Sequence, residues 1–392
     1  MQPRPLHGIG VLDLTNVLSG PYCSYQLALL GAQVVKIELP GQGDLARRLG
    51  ADPALNGQGI GASFLAQNAG KLSIELDLKG PDGRAAFEDL LRGADVLVEN
   101  FRAGVMERLG YGWEQLRALN PRLVYCAISG FGSTGPMSEA PAYDQVIQGL
   151  SGMMSITGTA ETAPLRVGFP VCDTLGGMAG AMAICAALAD RARSGSGRFI
   201  DVSMLETSLS AMGWPVSNYL VCGVEPVPMG DQNATAAPSG SFTASDGPLN
   251  IAANQQRQFE ALCHVIDRPD LAADQRFAER EARKANRELL NAEINGELAK
   301  QGVAHWERAL NDVGVPTARI VSVPEALSLD QLAHRGFLTK LPYPDGSARM
   351  LTAVGNGIHM NGEPLVPLAS PPLLGEHNAQ LPSIAARWRA AA

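Results

Sequence analysis

The chain has 392 residues, of which 46% are hydrophobic and 18% charged, a composition that fits a globular enzyme and excludes a disordered chain. Its 31 basic and 39 acidic residues give a net charge of −8, so nucleic acid is not an expected partner. This length predicts two domains or one large elaborated α/β domain. The longest nearly apolar stretch, residues 178–189, is too short to cross a bilayer, so no membrane contact is expected.

The first two hundred residues alternate between two patterns. Short apolar runs rich in β-branched residues predict strands at 10–14, 34–37, 73–78, 96–98, 123–128 and 199–202. Helical stretches lie between most of them, at 22–30, 83–91, 113–119, 145–152 and 175–189. Strands separated by helices predict an α/β fold with a mostly parallel sheet, covered on both faces and connected by right-handed crossovers.

The pattern changes after about residue 222. Residues 224–248 carry four prolines and indicate a crossing segment, and residues 255–312 are charged and helix-forming. Glycine and proline return from residue 336 onward. We therefore divide the chain into a large domain, 1–224, a smaller domain, 225–331, and a C-terminal segment, 332–392, that returns to complete the large domain.

Cysteine and histidine spacing bears on metals and on the compartment. Six residues of each type are scattered, without CxxC pairs or histidines at ligand spacing. This pattern predicts reduced core thiols and no metal site. No apolar segment follows the first residues as in a signal peptide, so we expect a cytoplasmic protein.

The strongest local signal is Asp173, which follows a strand-like run and precedes a long Ala-rich helix. One interpretation makes Asp173 the N-cap of that helix, where it accepts hydrogen bonds from free backbone N–H groups. In the other, the same N–H groups and the helix dipole hold an ionised carboxylate at a cleft, where it attacks an electrophile. The two glycines that follow, Gly176 and Gly177, allow a chain or a ligand to approach closely.

Two further loops are candidates. Residues 141–144, Pro-Ala-Tyr-Asp, follow a turn-rich segment and fit either a site or a surface loop leading into a helix capped by Asp144. Residues 99–108 follow the strand at 96–98, where parallel sheets bind ligands. There Arg102 and Arg108 either clamp a phosphate or remain solvated. The loop at 16–21 lacks the glycine spacing of a dinucleotide turn, which disfavours an NAD dehydrogenase.

Several blocks together resemble the class III CoA-transferases, the family of formyl-CoA transferase and the carnitine-CoA transferases, which is related to α-methylacyl-CoA racemase. The blocks are 11–15 (VLDLT), 20–21 (GP), 31–38 (GAQVVKIE), 71–79 (KLSIELDLK), 99–108 (ENFRAGVMER), 129–132 (SGFG), 201–204 (DVSM) and 374–377 (LGEH). They span essentially the whole chain in order. The resemblance implies a Rossmann-like large domain, a small domain that carries an active-site lid, and an interlocked homodimer.

The resemblance also implies the site residues. Asp173 matches the catalytic nucleophile, a role that is compatible with capping a helix. Coenzyme A contacts carry over to Leu18, Ser19, Leu76, Asp77, Leu78, Lys79, Asn100, Phe101, Arg102, Arg108, Pro141, Ala142, Tyr143 and Asp144. By the same resemblance no cofactor is tightly bound, no metal is used, and acyl-CoA and small carboxylic acids are the substrates.

Two departures from the family pattern bear on the substrate. Formyl-CoA transferase has glutamine at the position of Leu18, so a polar contact to the acyl group is missing in this chain. It also has a glycine-rich lid, whereas the corresponding residues 252–257 read AANQQR. These differences argue against formyl and oxalyl substrates.

The reaction type follows from the residue beside Asp144. Racemases of the family have histidine there, whereas this chain has Tyr143, which titrates near pH 10 when unperturbed and is a poor base at neutrality. An aspartate that is ionised at pH 7 attacks a thioester without a base. We therefore predict transfer of coenzyme A from an acyl-CoA, with succinyl-CoA as the suggested donor, to a free acid through an aspartyl–acyl anhydride and an aspartyl-CoA thioester. A 2-methylacyl-CoA racemase and a non-catalytic acyl-CoA-binding protein remain the alternatives.

Overall fold

The structure is a computed structural model that describes residues 3–391. The chain forms two compact units. The first extends to Met154, continues through Arg166–Pro226 and resumes at Asp330, and the second comprises Ser155–Leu165 and Val227–Leu329. The sequence division assigned residues 155–165 to the large domain. They belong to the second unit, where the N–H of Gly230 donates to the carbonyl of Gly158.

A six-stranded sheet organises the first unit, and every strand pairing in it is parallel. Its strands are β1 (Gly10–Asp13), β2 (Gln33–Glu38), β3 (Leu72–Glu75), β4 (Val96–Glu99), β5 (Val124–Ser129) and β6 (Arg198–Ser203), in the order β3-β2-β1-β4-β5-β6. Each of the six overlaps a predicted run, so the α/β class with a mostly parallel sheet is confirmed. From β1 to β3 the sheet grows on one side of β1, and from β4 onward it grows on the other side, so the strand order reverses between β1 and β4. Ligands of such sheets bind at this switch point.

Helices connect the strands of the parallel sheet. In chain order the helices are α1 (Ser19–Leu29), α2 (Pro53–Gly57), α3 (Ala62–Leu65), α4 (Pro81–Leu91), α5 (Val105–Arg108), α6 (Trp113–Leu119), α7 (Asp144–Leu150), α8 (Val171–Ser194), α9 (Met204–Met212), α10 (Trp214–Cys222), α11 (Gln256–Val265), α12 (Pro269–Ala273), α13 (Arg280–Ala285), α14 (Arg287–Leu298), α15 (Val303–Asp312), α16 (Val323–Leu327), α17 (Asp330–His334) and α18 (Leu381–Ala391). The five predicted helices correspond to α1, α4, α6, α7 and α8.

Both faces of the four inner strands, β1, β2, β4 and β5, are buried, which explains why these strands are mostly apolar without alternation. Val11 faces a core formed with α1 and α8, whereas its neighbour Leu12 faces a second core formed with α4, α6 and α18. Val34 and Val35 divide between the two cores in the same way. The chain order of strands and helices therefore builds a three-layer unit with the sheet in the middle.

Helix α8 is 24 residues long, twice the apolar stretch noted in the sequence, and by length and composition it could cross a membrane. It packs instead against α1, α9, β5 and β6, which are the contacts of a core helix. A Cβ atom at Gly177 would lie 2.5 Å from the carbonyl oxygen of Ser19. Glycine at this position therefore allows α8 to approach the start of α1 closely.

The C-terminal segment covers the edge of the sheet at β3. The N–H of Gly375 donates to the hydroxyl of Ser73 (3.0 Å), and the N–H of His377 donates to the Ser73 carbonyl (3.0 Å). The N–H of Glu75 donates to the side-chain oxygen of Asn378 (2.8 Å). These bonds satisfy edge groups that an exposed strand would leave open to another chain.

Three smaller sheets complete the structure, all with antiparallel pairings. The second unit contains β7 (Ser239–Ala244), β8 (Gly247–Ala252) and β9 (Thr317–Arg319), and the first unit also contains the hairpins β10 (Leu338–Pro342) with β11 (Met350–Val354) and β12 (His359–Met360) with β13 (Glu363–Pro364). The core of the second unit includes buried side chains from its sheet and from α11, α12, α14 and α15, among them Phe242, Phe259 and Leu290.

Candidate active site

A cleft of about 230 Å³ lies at the switch point of the sheet. Its walls are the loop after β1, the loop after β4, the end of β5 and the first turn of α8. Eight of the expected site residues line it: Leu18, Ser19, Asn100, Phe101, Arg102, Ala142, Tyr143 and Asp173. Segments far apart in sequence therefore meet around one carboxylate.

A second cleft of about 470 Å³ adjoins the first, because both are lined by Asn16 and Phe101. The four expected residues after β3, Leu76, Asp77, Leu78 and Lys79, line this second cleft. The predicted strand at 73–78 was too long, since β3 ends at Glu75 and the four residues leave the sheet. Arg48 also lines the second cleft, although the sequence analysis did not single it out.

Three expected residues line neither cleft. Arg108 is exposed in α5, and Pro141 is exposed one residue before Ala142. Asp144 is only 6% exposed, and its side chain points away from the clefts into a hydrogen-bonded network. The side chain of Asp144 is therefore a structural neighbour of the site in this conformation.

The start of α8 corrects both capping interpretations. The helix begins at Val171, so Asp173 lies in the first turn and is not the N-cap. The cap is supplied by the carboxylate of Asp144, whose Oδ1 accepts the N–H of Cys172 (2.8 Å) and of Asp173 (3.3 Å). Asp144 therefore caps α8 rather than its own helix, α7, in which Tyr143 occupies the N-cap position without a side-chain bond.

The electrostatics of Asp173 differ from those assumed from sequence. Burial raises the pKa of this carboxyl to about 7, and the nearby negative charge of Asp144 contributes to the increase. A hydrogen bond from the Ser19 hydroxyl acts in the opposite direction and lowers the pKa. At pH 7 the free site is therefore about half protonated, whereas an ordinary aspartate is fully ionised.

The loop after β1 is held in an unusual conformation. Val17 has φ 66°, a left-handed value that is costly for a β-branched side chain. The N–H of Val17 donates to Oδ1 of Asp44 (2.9 Å), and Asn100 forms a reciprocal pair with the backbone of Asn16 (both 2.8 Å). The amide of Asn100 also donates to the Ser19 hydroxyl (3.2 Å). Two separate elements thus fix the loop that reaches Asp173.

A buried charge cluster lies beneath this loop. Lys36 contacts Asp44 (2.9 Å), Lys71 contacts Asp13 (3.0 Å), and all four side chains are inaccessible to solvent. The ammonium of Lys36 also donates to the carbonyl of Thr15 (2.6 Å), at the base of the loop. The sequence analysis missed this cluster, although charged residues inside apolar strand runs were a visible signal of it.

Within residues 3–391, no three His, Cys, Asp or Glu side chains are grouped to hold a metal ion. The cysteines are free, and Cys23, Cys126, Cys172 and Cys263 are buried. Cys222 is exposed, so the expectation of core thiols is wrong for this residue.

Comparisons with known proteins agree on one family. The family model described as CoA-transferase family III matches residues 6–378. The chain is 42% identical over 337 residues to the acetyl-CoA:oxalate CoA-transferase of Acetobacter aceti, with 86% of each chain covered. It is 36% identical to the succinate–glutarate CoA-transferase of Agrobacterium fabrum, with 96% of this chain and 94% of the relative covered. The crystal structure of a CAIB/BAIF family protein from Brucella suis matches with a TM-score of 0.84 and 33% identity, covering 98% of this chain and 100% of the other.

Proposed function

Because the chain belongs to CoA-transferase family III, we propose that it moves coenzyme A from an acyl-CoA to a free carboxylic acid with Asp173 as the nucleophile. Its family and named relatives make the protein a CoA-transferase. The observation that carries the assignment of the nucleophile is the position of Asp173, a partly buried carboxylate in the cleft at the switch point of the sheet. The coenzyme is a substrate in this reaction, and we expect no tightly bound cofactor.

The two adjoining clefts suit an extended ligand such as an acyl-CoA. Leu76 and Leu78 supply an apolar wall in the second cleft, and Lys79 and Arg48 supply positive charge for phosphates. Arg102 lines the first cleft, where the thioester would meet Asp173. We propose that the nucleotide end binds in the second cleft. The family resemblance also implies contacts to Arg108, Pro141 and Asp144, although none of these three residues lines either cleft.

The reaction balances without an external base. The carboxylate of Asp173 attacks the thioester carbonyl, a C–O bond forms, the C–S bond breaks, and coenzyme A leaves as thiolate. The thiolate attacks the aspartyl carbonyl and expels the donor acid as a carboxylate, which leaves an aspartyl-CoA thioester. The acceptor carboxylate attacks this thioester, expels coenzyme A as thiolate and forms a second aspartyl–acyl anhydride. The thiolate then attacks the acyl carbonyl of the acceptor, which gives the new acyl-CoA and releases Asp173 as a carboxylate.

Each tetrahedral intermediate needs hydrogen-bond donors for its oxyanion. Within residues 3–391, the N–H groups of Ser19 and Gly20 at the start of α1 have no acceptor. They belong to the loop that Asn100 and Asp44 hold in place. We propose that they are the donors, because the close approach of α1 and α8 brings them near Asp173.

The alternatives gain no support from the site. Racemisation needs two groups that exchange protons with the α-carbon, and the lining of the first cleft contains no histidine. Tyr143, which replaces the racemase histidine, is 70% exposed. A non-catalytic acyl-CoA-binding protein would not need a carboxylate that is costly to bury beside the binding surface.

The acid pair is proposed from the relatives. One acts on acetyl-CoA and oxalate and another on succinate and glutarate, so we propose small dicarboxylates as acceptors and retain succinyl-CoA as the first donor to test. Oxalate, which the sequence analysis disfavoured, belongs in the test because of the 42% identical relative.

We propose a cytoplasmic homodimer as the working form. Helices α9 and α10 expose large apolar side chains, including Trp214 (68%), Leu220 (75%) and Val221 (81%), which a second copy could cover. Light scattering should give twice the chain mass of 41.3 kDa. A monomer at micromolar concentration contradicts this part of the proposal.

The decisive experiment is exchange of labelled coenzyme A between acids. Acetyl-CoA and succinyl-CoA are incubated with oxalate, glutarate and monocarboxylates, and the thioesters are identified by mass spectrometry. We expect Asp173→Ala to abolish exchange while the Kd for coenzyme A changes less than about twofold. Asp190→Ala, at the opposite end of the same helix, is the matched control and should retain exchange.

A trapping experiment tests the covalent step directly. The wild-type protein is quenched during turnover, digested, and searched for a peptide in which Asp173 carries acyl or coenzyme A. Full turnover by Asp173→Ala, or an adduct only at another residue, would refute the role of Asp173.

A further inference from the structure

The carboxylate of Asp144 is buried without a cation. Its residue is 6% exposed, and within residues 3–391 it forms no ion pair with Lys, Arg or His. Three hydrogen bonds balance it: Oδ1 accepts the N–H of Cys172 and of Asp173, and Oδ2 accepts Nε2 of Gln148 (2.6 Å). A buried charge that is balanced only by neutral donors is costly, so its presence needs an explanation.

Gln148 fixes the orientation of this carboxylate. The side chain is completely buried in α7, and its Oε1 accepts the N–H of Val167 (2.8 Å) while its Nε2 donates to Asp144. The amide cannot rotate by 180° without placing donor against donor at one end and acceptor against acceptor at the other. The pair therefore joins α7, the segment that leads into α8, and the first turn of α8.

A neutral side chain would satisfy the same backbone groups at lower cost. Asparagine at position 144 could accept the N–H groups of Cys172 and Asp173 through its carbonyl oxygen, without the desolvation of a charge. Only the carboxylate also supplies a second acceptor, for Nε2 of Gln148, together with a negative charge beside Asp173. The other titratable or charged groups around Asp173 are Arg102 and Tyr143, which line the same cleft, and the Cys172 thiol, whose pKa burial raises and the two aspartates raise further. The Ser19 hydroxyl on α1 adds a hydrogen bond to Asp173.

We propose that Asp144 is a positioning residue and not a side-chain ligand of coenzyme A: with Gln148 it fixes the first turn of α8, and its charge keeps the Asp173 carboxylate a strong nucleophile. The proposal rests on the function assigned to Asp173. A carboxylate whose proton is held more tightly is more nucleophilic once it is ionised. In the anhydride, such an Asp173 carboxylate is also a poorer leaving group than the donor acid. The thiolate therefore attacks preferentially at the aspartyl carbonyl and expels the donor acid.

The test replaces Asp144 by asparagine. The amide group of Asp144→Asn faces Nε2 of Gln148, so we expect a lower kcat. The loss of one like charge should also move the acid limb of kcat/KM to lower pH by about one unit. The Kd for coenzyme A should change less than about threefold, because the side chain lines neither cleft.

A second variant separates geometry from charge. In Asp144→Asn with Gln148→Glu, the asparagine amide donates to the new carboxylate, which also accepts the N–H of Val167, so the network is restored and the charge lies one side chain farther from Asp173. We expect kcat to recover at least partly while the acid limb remains shifted. Asp190→Asn on the same helix should leave the limb in place.

The proposal and the proposed function fail in different ways. If the wild-type protein exchanges coenzyme A and Asp144→Asn keeps both the wild-type kcat and the wild-type acid limb, the positioning role is wrong. If the wild-type protein shows no exchange with any acid, the proposed function fails. The electrostatic coupling between Asp144 and Asp173 is then measured through the free energy of unfolding. The pH-dependent stabilisation by Asp173→Asn should be smaller in an Asp144→Asn background than in the wild-type background, and an unchanged stabilisation overturns the inference.

Discussion

Asp173→Asn should stabilise the protein above about pH 4, where the wild-type carboxyl is ionised in the unfolded chain. The pKa of this carboxyl rises from 3.8 to about 7 in the folded protein, a difference of about three units. Each unit corresponds to about 1.4 kcal/mol, so the folded state loses up to about 4 kcal/mol when it ionises Asp173. Solvent in the cleft screens part of this cost, and we expect about 2–4 kcal/mol.

The sign of the pH dependence is fixed by the direction of the shift. Below about pH 4, Asp173 is protonated in both the folded and the unfolded chain, so the wild-type protein and the variant should be equally stable. As the pH rises through 7, the unfolded chain has already lost the proton while the folded chain has to give it up from a buried position. The advantage of the variant should therefore grow between pH 4 and 7 and stay constant above.

Urea unfolding at several pH values measures this difference. Tryptophan fluorescence reports mainly on the first unit, because three of the four tryptophans, Trp113, Trp214 and Trp388, lie in it. Asp190→Asn is the control, since the hydrogen bond with Arg198 lowers the pKa of Asp190 and the control should show no stabilisation. A stability difference between Asp173→Asn and wild type that does not depend on pH would refute the reasoning. In the wild-type enzyme the same ionisation predicts a kcat/KM that rises with pH through about 7.

Three further substitutions test the support of the site. Lys36→Met should lower the free energy of unfolding by about 3–5 kcal/mol, because Asp44 then stays buried without its cation. A denaturant titration that shows a decrease of less than about 1 kcal/mol contradicts this expectation. Val17→Gly should change the free energy of unfolding by less than about 1 kcal/mol, because relief of the left-handed strain offsets the added flexibility of the unfolded chain. It should nevertheless lower kcat, and an unchanged kcat would show that catalysis does not depend on a rigid loop. Gly177→Ala should lower the free energy of unfolding by about 1–3 kcal/mol and also lower kcat, because the new Cβ would contact the Ser19 carbonyl oxygen. A variant with wild-type activity and stability excludes this close packing of α1 and α8.

The strands were predictable because their signal is local. The six runs in the sheet are short and largely apolar, so β1 to β6 could be found without knowledge of their partners. The same reasoning gave the loops at the carboxyl ends of strands as site candidates. The first cleft does contain Asn100, Phe101 and Arg102 from such a loop.

The cap of α8 was not predictable in this way. The sequence around Asp173 suggests that it caps its own helix, whereas the capping carboxylate comes from Asp144, 29 residues earlier. A local pattern contains no information about a hydrogen bond between distant segments, and the two aspartates are equally good caps by residue type. Lys36 and Lys71 raised the same difficulty, because their partners lie on other strands and loops.

The costly features of the molecule converge on one place. Val17 adopts a strained backbone conformation, Asp144 is buried without a cation, and Asp173 is held where its ionisation is unfavourable. The apolar burial around the rigid parallel sheet offsets the loss of folding free energy that these features cause. The mechanism that we propose gains from a nucleophile more basic than free aspartate and from a cleft with little water, since water would hydrolyse the anhydride. Burial provides both at once, and the same burial destabilises the fold.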